Sequence, residues 1–173
     1  MIRLPESLVR MVAHPLWAAW EHPGLYSFLR EYEKTQFWSP ERLEKLQWDR
    51  LRKIVRFAFE RCPYYRRRFR EVGFLPGDLR GPDELLKLPV LNKDDIRQCQ
   101  SELTAQGVPP ASYENNFTGG STGSPIRFKV TKRRWASRKA ASYRHNRWAG
   151  FDIGKTVGEL WGHPTENAHL SRR

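Results

Sequence analysis

Phe117-Thr118-Gly119-Gly120-Ser121-Thr122-Gly123-Ser124-Pro125, followed directly by Ile126-Arg127-Phe128-Lys129-Val130-Thr131, is the stretch on which the reading of this chain turns. Three glycines and four hydroxyl side chains fill the seven positions from Thr118 to Ser124. Beyond Pro125, apolar Ile126, Phe128 and Val130 alternate with polar Arg127, Lys129 and Thr131, the pattern of a half-buried strand. A short strand from about Tyr113 ends at Phe117, so the region reads as strand, loop, strand, with the glycine loop at the tip of a hairpin. Glycine lets the main chain approach a ligand closely. Successive backbone N–H groups in such a loop form an anion-binding concavity, and Ser or Thr hydroxyls add donors. The simplest chemical reading is a loop that holds phosphates; a plain glycine-rich turn uses the same residue types.

Two familiar phosphate motifs do not fit. A Walker loop needs Lys and then Ser or Thr after its last glycine, and here Gly123 is followed by Ser124 and Pro125. The dinucleotide fingerprint opens a helix, whereas this loop opens a strand.

Working outward, the first two-thirds of the chain read as helices. Ser39-Pro40-Glu41 is a start signal, with an N-cap hydroxyl, Pro at the first helical position and an acid in the first turn. Leu43, Leu46, Leu51, Ile54, Val55 and Ala58 then recur at helical spacing, to about Arg61. Pro63 opens a second helix, Tyr64 to Val72, that stops at Gly73. Leu75-Pro76-Gly77-Asp78 is turn chemistry, and Pro82 to Leu88 is a short helical turn. Asn92 caps a helix running toward Leu103, with Asp94 and Asp95 at its positive end. On the other side of the hairpin, Lys132 to Ala149 forms a basic helix ended by Gly150. Thr156 to Trp161 reads as a further strand. Among the helix residues, Trp135, Tyr143 and Trp148 read as packing groups and Arg66 to Arg68 as a solvated face.

At 173 residues, 39% hydrophobic and 13% aromatic, the chain can build a core, and its mean hydropathy of -0.74 reflects many charges. No apolar run is long enough to span a membrane. Pro15 and His14 interrupt the apolar stretch Met11 to Trp20, which does not read as a signal peptide. Cys62 and Cys99 are isolated, so neither a disulfide framework nor a zinc site is expected, and a cytoplasmic location is the economical reading. The net charge of +12 and pI near 10.2 raise nucleic acid as a partner. The arginines are spread along the whole chain, however, which disfavours that partner.

The hydroxyl-rich glycine loop ending in proline resembles the phosphate-binding signature of adenylate-forming enzymes, the acyl-CoA synthetases and their relatives. Three further segments extend the likeness. Cys62-Pro63-Tyr64-Tyr65-Arg66-Arg67-Arg68-Phe69 with Gly73-Phe74, then Asp83 to Arg97, and then Arg147-Trp148-Ala149-Gly150-Phe151-Asp152-Ile153-Gly154 with Leu160-Trp161-Gly162-His163 resemble one branch. That branch holds phenylacetate–coenzyme A ligase and the related capsule-biosynthesis proteins. The likeness runs from about Leu43 to His169.

The resemblance implies an α/β fold, in which an N-terminal helical region leads into the first strands of a large adenylate-forming domain. Residues 1–38 would be a helical extension and 39–173 an incomplete AMP-binding domain. It implies ATP with Mg2+, a small-molecule carboxylate and coenzyme A as the acyl acceptor. The carboxylate attacks the α-phosphorus of ATP to give an acyl-adenylate and pyrophosphate, and the thiol then takes the acyl group. Thr118, Gly119, Gly120, Ser121, Thr122 and Gly123 match the phosphate loop. Ile126 stands where many relatives carry Lys, with Arg127 next. His163 falls near the family's acyl pocket, though a loop histidine beside Pro164 is the plainer reading. The family's acids for ribose and magnesium and its catalytic Lys lie well beyond the loop and have no counterpart here, so no catalytic residue is assigned and no ligase activity is expected of these residues alone. A non-catalytic nucleotide-binding module is the alternative, and a basic nucleic-acid-binding protein a more distant one.

Overall fold

The polar punctuation of the sequence sets the element ends. In the computed structural model, which describes residues 4–118 and 125–156, eight α-helices and one two-stranded sheet are found among the described residues. The chain begins with α1 (Glu6–Leu8), a π-helical stretch Val9–Ala13, and α2 (His14–Glu21). Next come α3 (Leu25–Thr35), α4 (Pro40–Arg61), α5 (Pro63–Glu71), α6 (Pro82–Leu86) and α7 (Lys93–Gln98). Strands β1 (Tyr113–Phe117) and β2 (Arg127–Thr131) precede the last helix, α8 (Lys132–Trp148). The chain is thus mostly helical with a small hairpin, an arrangement compatible with part of an α/β domain.

Ser39 precedes Pro40 at the start of α4, and Pro63 occupies the first position of α5. Asn92 caps α7: its Oδ1 accepts from the Asp94 and Asp95 amides at 2.9 and 2.8 Å, and the Asp95 carboxylate accepts from the Asn92 amide at 3.2 Å. That helix stops at Gln98, well short of Leu103, because Cys99 leaves helical geometry and the chain turns. Gly150, at φ +75°, ends α8 as the left-handed residue that a helix C-terminus favours.

Two apolar clusters hold these elements. Val55, Phe69, Phe74 and Leu79 are buried together where α4 meets α5, with Trp48, Leu51 and Phe59 packed against them. The α4 stripe is therefore Trp48, Leu51, Val55 and Phe59, while Leu43 and Ile54 face solvent. The sequence reading placed both on the apolar face. A repeat of 3.6 residues admits neighbouring faces, and the position of α5 decides which one is covered.

The second cluster joins residues far apart in the chain. Ala18 of α2, Leu25 of α3 and Ala136 of α8 are buried together, flanked by Tyr26, Phe28 and Tyr143. Small Ala136 and Ala140 on α8, both 0% exposed, allow close approach. Polar bonds reinforce the joint. The Tyr32 and Ser137 hydroxyls lie 2.5 Å apart, the Trp148 indole N–H donates to Gln36 Oε1 at 2.8 Å, and Arg147 ion-pairs with Glu33. The helices of the first 38 residues thus pack directly on α8. Trp148 itself is 59% exposed, so its ring is not a core residue.

Candidate functional site

The alternating residues of 126–131 pair with 113–117 in an antiparallel ladder, from Tyr113 opposite Thr131 to Phe117 opposite Arg127. Its apolar set is turned inward: Ile126 and Val130 are buried and Phe128 half-buried. Beyond the last ladder pair, the strands close once more. The Thr118 amide donates to the Ile126 carbonyl at 3.0 Å, and the Ile126 amide donates to Thr118 Oγ1 at 3.1 Å. The loop therefore leaves the hairpin through a neck in which backbone and side chain of Thr118 both hold Ile126. With Oγ1 accepting from Ile126, the Thr118 hydroxyl hydrogen is still available to a ligand.

Gly119, Gly120, Ser121, Thr122 and Gly123 lie outside the described residues, as do His163 and all but the first residue of the strand expected over Thr156 to Trp161. What the structure does place is the ground on which the loop stands. Ile126 supplies no charge at the neck and is 9% exposed, serving as an apolar anchor. Arg127 is exposed beside it and, among the described residues, pairs with no carboxylate. The Gln100 side-chain amide donates to the Arg127 carbonyl at 2.9 Å, tying the hairpin to the turn after α7. A small hollow of about 160 Å3 beside the neck is lined by Ile96, Gln100, Pro125, Ile126 and Arg127, with Arg97 at its edge.

Deeper under the hairpin lies an open apolar cavity of about 350 Å3. Phe57, Tyr65, Leu91, Ile96, Leu103 and Phe128 line it, with Cys62 at one wall. Burial pushes the Cys62 thiol upward, against a smaller opposing effect of Arg66, so the group is a neutral packing element rather than a thiolate. Both cysteines are free. Among the described residues no set of three His, Cys, Asp or Glu stands close enough to hold a metal ion.

The arginine run of α5 is partly exposed, Arg67 most and Arg66 and Arg68 half-buried, and it is engaged. Arg66 donates to the Phe59 carbonyl at 3.0 Å and to the Glu60 carbonyl, satisfying the end of α4. Arg67 pairs with Glu71 and Glu102, and Arg68 with Glu71. Backbone bonds join the same regions: Tyr64 N–H to the Glu102 carbonyl at 3.2 Å and Gln106 N–H to the Arg61 carbonyl at 2.7 Å. These contacts carry the turn after α7, and with it Gln100, to its place under the hairpin. Nothing in the sequence pattern announced Gln100, whose role depends on a carbonyl 27 residues away.

A polar centre that sequence reasoning missed joins α2, α3 and α8. His14 Nδ1 lies 2.8 Å from the Tyr26 hydroxyl and His14 Nε2 lies 2.8 Å from the Tyr143 hydroxyl. A neutral imidazole has one donor and one acceptor, so one tyrosine donates and the other accepts. Burial, then the nearby positive charges of Lys139 and His22, hold the His14 pKa below its ordinary value of 6.5. Burial and the proximity of Tyr26 push Tyr143 from 10.0 up to about 12. Only chance spacing of His and Tyr marks these residues in the sequence.

The described part of the site is a hairpin neck braced by Gln100, with Arg127 beside it making no ion pair among the described residues. Comparison with known proteins finds relatives of one kind. The chain is 40% identical over 93 residues to a phenylacetate–coenzyme A ligase of Thermus thermophilus, a match covering 53% of this chain and 21% of the relative. It is 31% identical over 109 residues to the Escherichia coli phenylacetate–coenzyme A ligase, and 32% identical over 110 residues to that of Pseudomonas putida. Each of these two matches covers 61% of this chain and 25% of the relative. The matched stretch is thus a fifth to a quarter of the ligases it is similar to. No family model matches the chain.

Proposed function

We propose that these residues are the phosphate-loop portion of an adenylate-forming carboxylate–coenzyme A ligase of the phenylacetate–coenzyme A ligase type. The observation that carries this reading is the closed neck of Thr118 and Ile126, which sets a Gly/Ser/Thr loop at a hairpin tip in a chain 31–40% identical to such ligases. The amides of 119–123, with the hydroxyls of Thr118, Ser121 and Thr122, donate to the β- and γ-phosphate oxygens of ATP. Arg127 supplies positive charge at the side of the loop, in place of the lysine that Ile126 replaces. Mg2+ arrives with the nucleotide. In the whole protein a carboxylate attacks the α-phosphorus, pyrophosphate leaves, and coenzyme A takes the acyl group from the adenylate. The relatives reported favour this branch over capsule biosynthesis. A reaction fed by ATP and coenzyme A belongs in the cytoplasm.

The chain of 173 residues is expected to bind ATP without turning it over. Titration calorimetry is the test. Saturable binding of ATP, lost in Gly120→Val, supports the reading, and absence of binding in the folded wild-type chain overturns it. Exchange of labelled pyrophosphate into ATP in the presence of phenylacetate would show that these residues do carry the chemistry, against the expectation.

A further inference from the structure

The N-terminal helix turns its most apolar face to solvent. Leu4, Leu8, Val12, Leu16 and Trp20 recur every fourth residue, and all are exposed, Leu16 at 68% and Trp20 at 82%. Met11, at 72%, and Trp17 widen the stripe. An α-helix turns about 100° per residue, so an every-fourth pattern drifts about 40° per step around it. The π-helical stretch Val9–Ala13 has more residues per turn and takes back part of that drift, so the exposed apolar residues form a broad, slanting band roughly 24 Å long.

The opposite face is fixed to the protein. Ala18 is buried, His14 bonds Tyr26 and Tyr143, and Arg10 reaches Asp152 at 3.8 Å. Gly154 lies so close to the start of α1 that a Cβ there would sit 2.7 Å from the Glu6 carbonyl oxygen. The exposed stripe is therefore presented by a helix held firmly from behind.

Cations rim it. The Lys139 ammonium lies 5.1 Å from the Trp17 ring centre, and Lys132 shares a hollow with Trp20 and Trp135, alongside Glu21 and Glu114. The chain as a whole carries +12. We infer that this stripe docks on an anionic membrane surface, with Leu16 and Trp20 entering the headgroup region and the rim cations meeting lipid phosphates. Apolar and Trp residues on one face with Lys and Arg beside them are what an interfacial helix needs. A second copy fits less well, since two surfaces of the same strongly positive protein would meet. The stripe also lies outside the residues, from Leu43 onward, that carry the likeness to the ligases. The inference is independent of the proposed nucleotide reading.

Co-sedimentation of the 173-residue chain with phosphatidylglycerol–phosphatidylcholine vesicles tests it. The expected result is partition that drops about ten-fold or more in Leu16→Asp and in Trp20→Ser, as loss of one buried apolar anchor requires. Both side chains are exposed, so thermal unfolding should be unchanged. Four results overturn the inference: no partition of the wild-type chain, partition that both variants retain, self-association of the vesicle-free chain that Leu16→Asp abolishes, or a Trp20 already shielded from acrylamide without vesicles, read as the difference between wild type and Trp20→Phe.

Discussion

Thr118 and Ile126 hold each other twice, once through the Thr118 amide to the Ile126 carbonyl at 3.0 Å and once through the Ile126 amide to Thr118 Oγ1 at 3.1 Å. The second bond is a side-chain bond, so it can be removed while the first is kept. Thr118→Val keeps the shape and deletes the acceptor, at a cost of about 1 kcal/mol to closure of the neck. ATP affinity measured by calorimetry should fall by about five-fold or more, since the hydroxyl proposed to face phosphate is lost as well, with Thr118→Ser restoring it. Equal affinity in Thr118→Val and wild type would separate the neck from nucleotide binding.

His14 predicts a dependence on pH. Its pKa in the folded chain lies below 6.5, with burial the largest cause, so the unfolded chain binds the proton more readily. The contribution of His14 to stability is therefore fully present above pH 6.5 and declines as pH falls through and below that value. Protonation also leaves both ring nitrogens as donors, so the tyrosine that had donated must turn its hydroxyl. Urea unfolding of His14→Gln from pH 8 to pH 5 should show a shallower slope than wild type. His22 is shifted in the same direction, so some slope should survive in that variant.

Arg147 is the ionic link between α8, Glu33 of α3 and Asp152 in the following turn. All three side chains are about one-third exposed, which limits the contribution of the network. Arg147→Gln should cost about 1 kcal/mol at low salt and less at high salt. Burial alone would raise the Asp152 carboxyl, but the Ile153 amide and the Arg147 guanidinium outweigh it and hold the pKa below 3.8. The corresponding stability is present above that value and is lost at lower pH, so acid unfolding of the variant should begin from an already weakened state. An unchanged salt dependence of the melting temperature in Arg147→Gln would refute the link.

Gly154 and Gly150 form a matched pair of tests. Both have positive φ, +98° and +75°, but a Cβ at Gly154 would meet the Glu6 carbonyl oxygen at 2.7 Å, whereas none within 4 Å meets one at Gly150. Gly150→Ala should cost about 1 kcal/mol in backbone strain. Gly154→Ala should cost more, about 2–3 kcal/mol, because the backbone of α1 must also move. Equal chemical-denaturation midpoints for the two variants would contradict the close approach.

Leu25 sits at the centre of the cluster that binds α3 to α8, and it is 1% exposed. Leu25→Ala should destabilise the chain by about 2–5 kcal/mol, a range set by how far α3 can settle onto Ala136. Trp20, on the outer face of α2, should tolerate Ser with little change in stability.

The hairpin was legible because a period of two, a glycine loop and a proline stand next to one another, and each acts on the local backbone. Asn92 with Asp95, Pro63 and Gly150 announced helix ends for the same reason. The apolar face of α4 was only half legible: periodicity names a sector, and α5 selects Trp48, Leu51, Val55 and Phe59 within it while leaving Ile54 outside. The reading of 118–123 as a phosphate loop rests on its residue types and on the likeness to adenylate-forming enzymes. The bracing of its base by Gln100 was not visible, since no local pattern foretells a bond across 27 residues.

By itself the sequence determined several element ends, those of α4, α5, α8 and the hairpin strands, because caps, turns and alternation are interactions among near neighbours. It also determined that a glycine- and hydroxyl-rich loop lies between two strands. Tertiary structure alone decided that the first 38 residues pack on α8, through Tyr32 with Ser137 and Glu33 with Arg147. It alone decided that His14 is shared by two tyrosines and that the stripe from Leu4 to Trp20 faces outward. Those outcomes depend on which of several apolar faces finds a partner more than 100 residues along the chain. That choice is made by packing the whole core, which no short stretch of sequence contains.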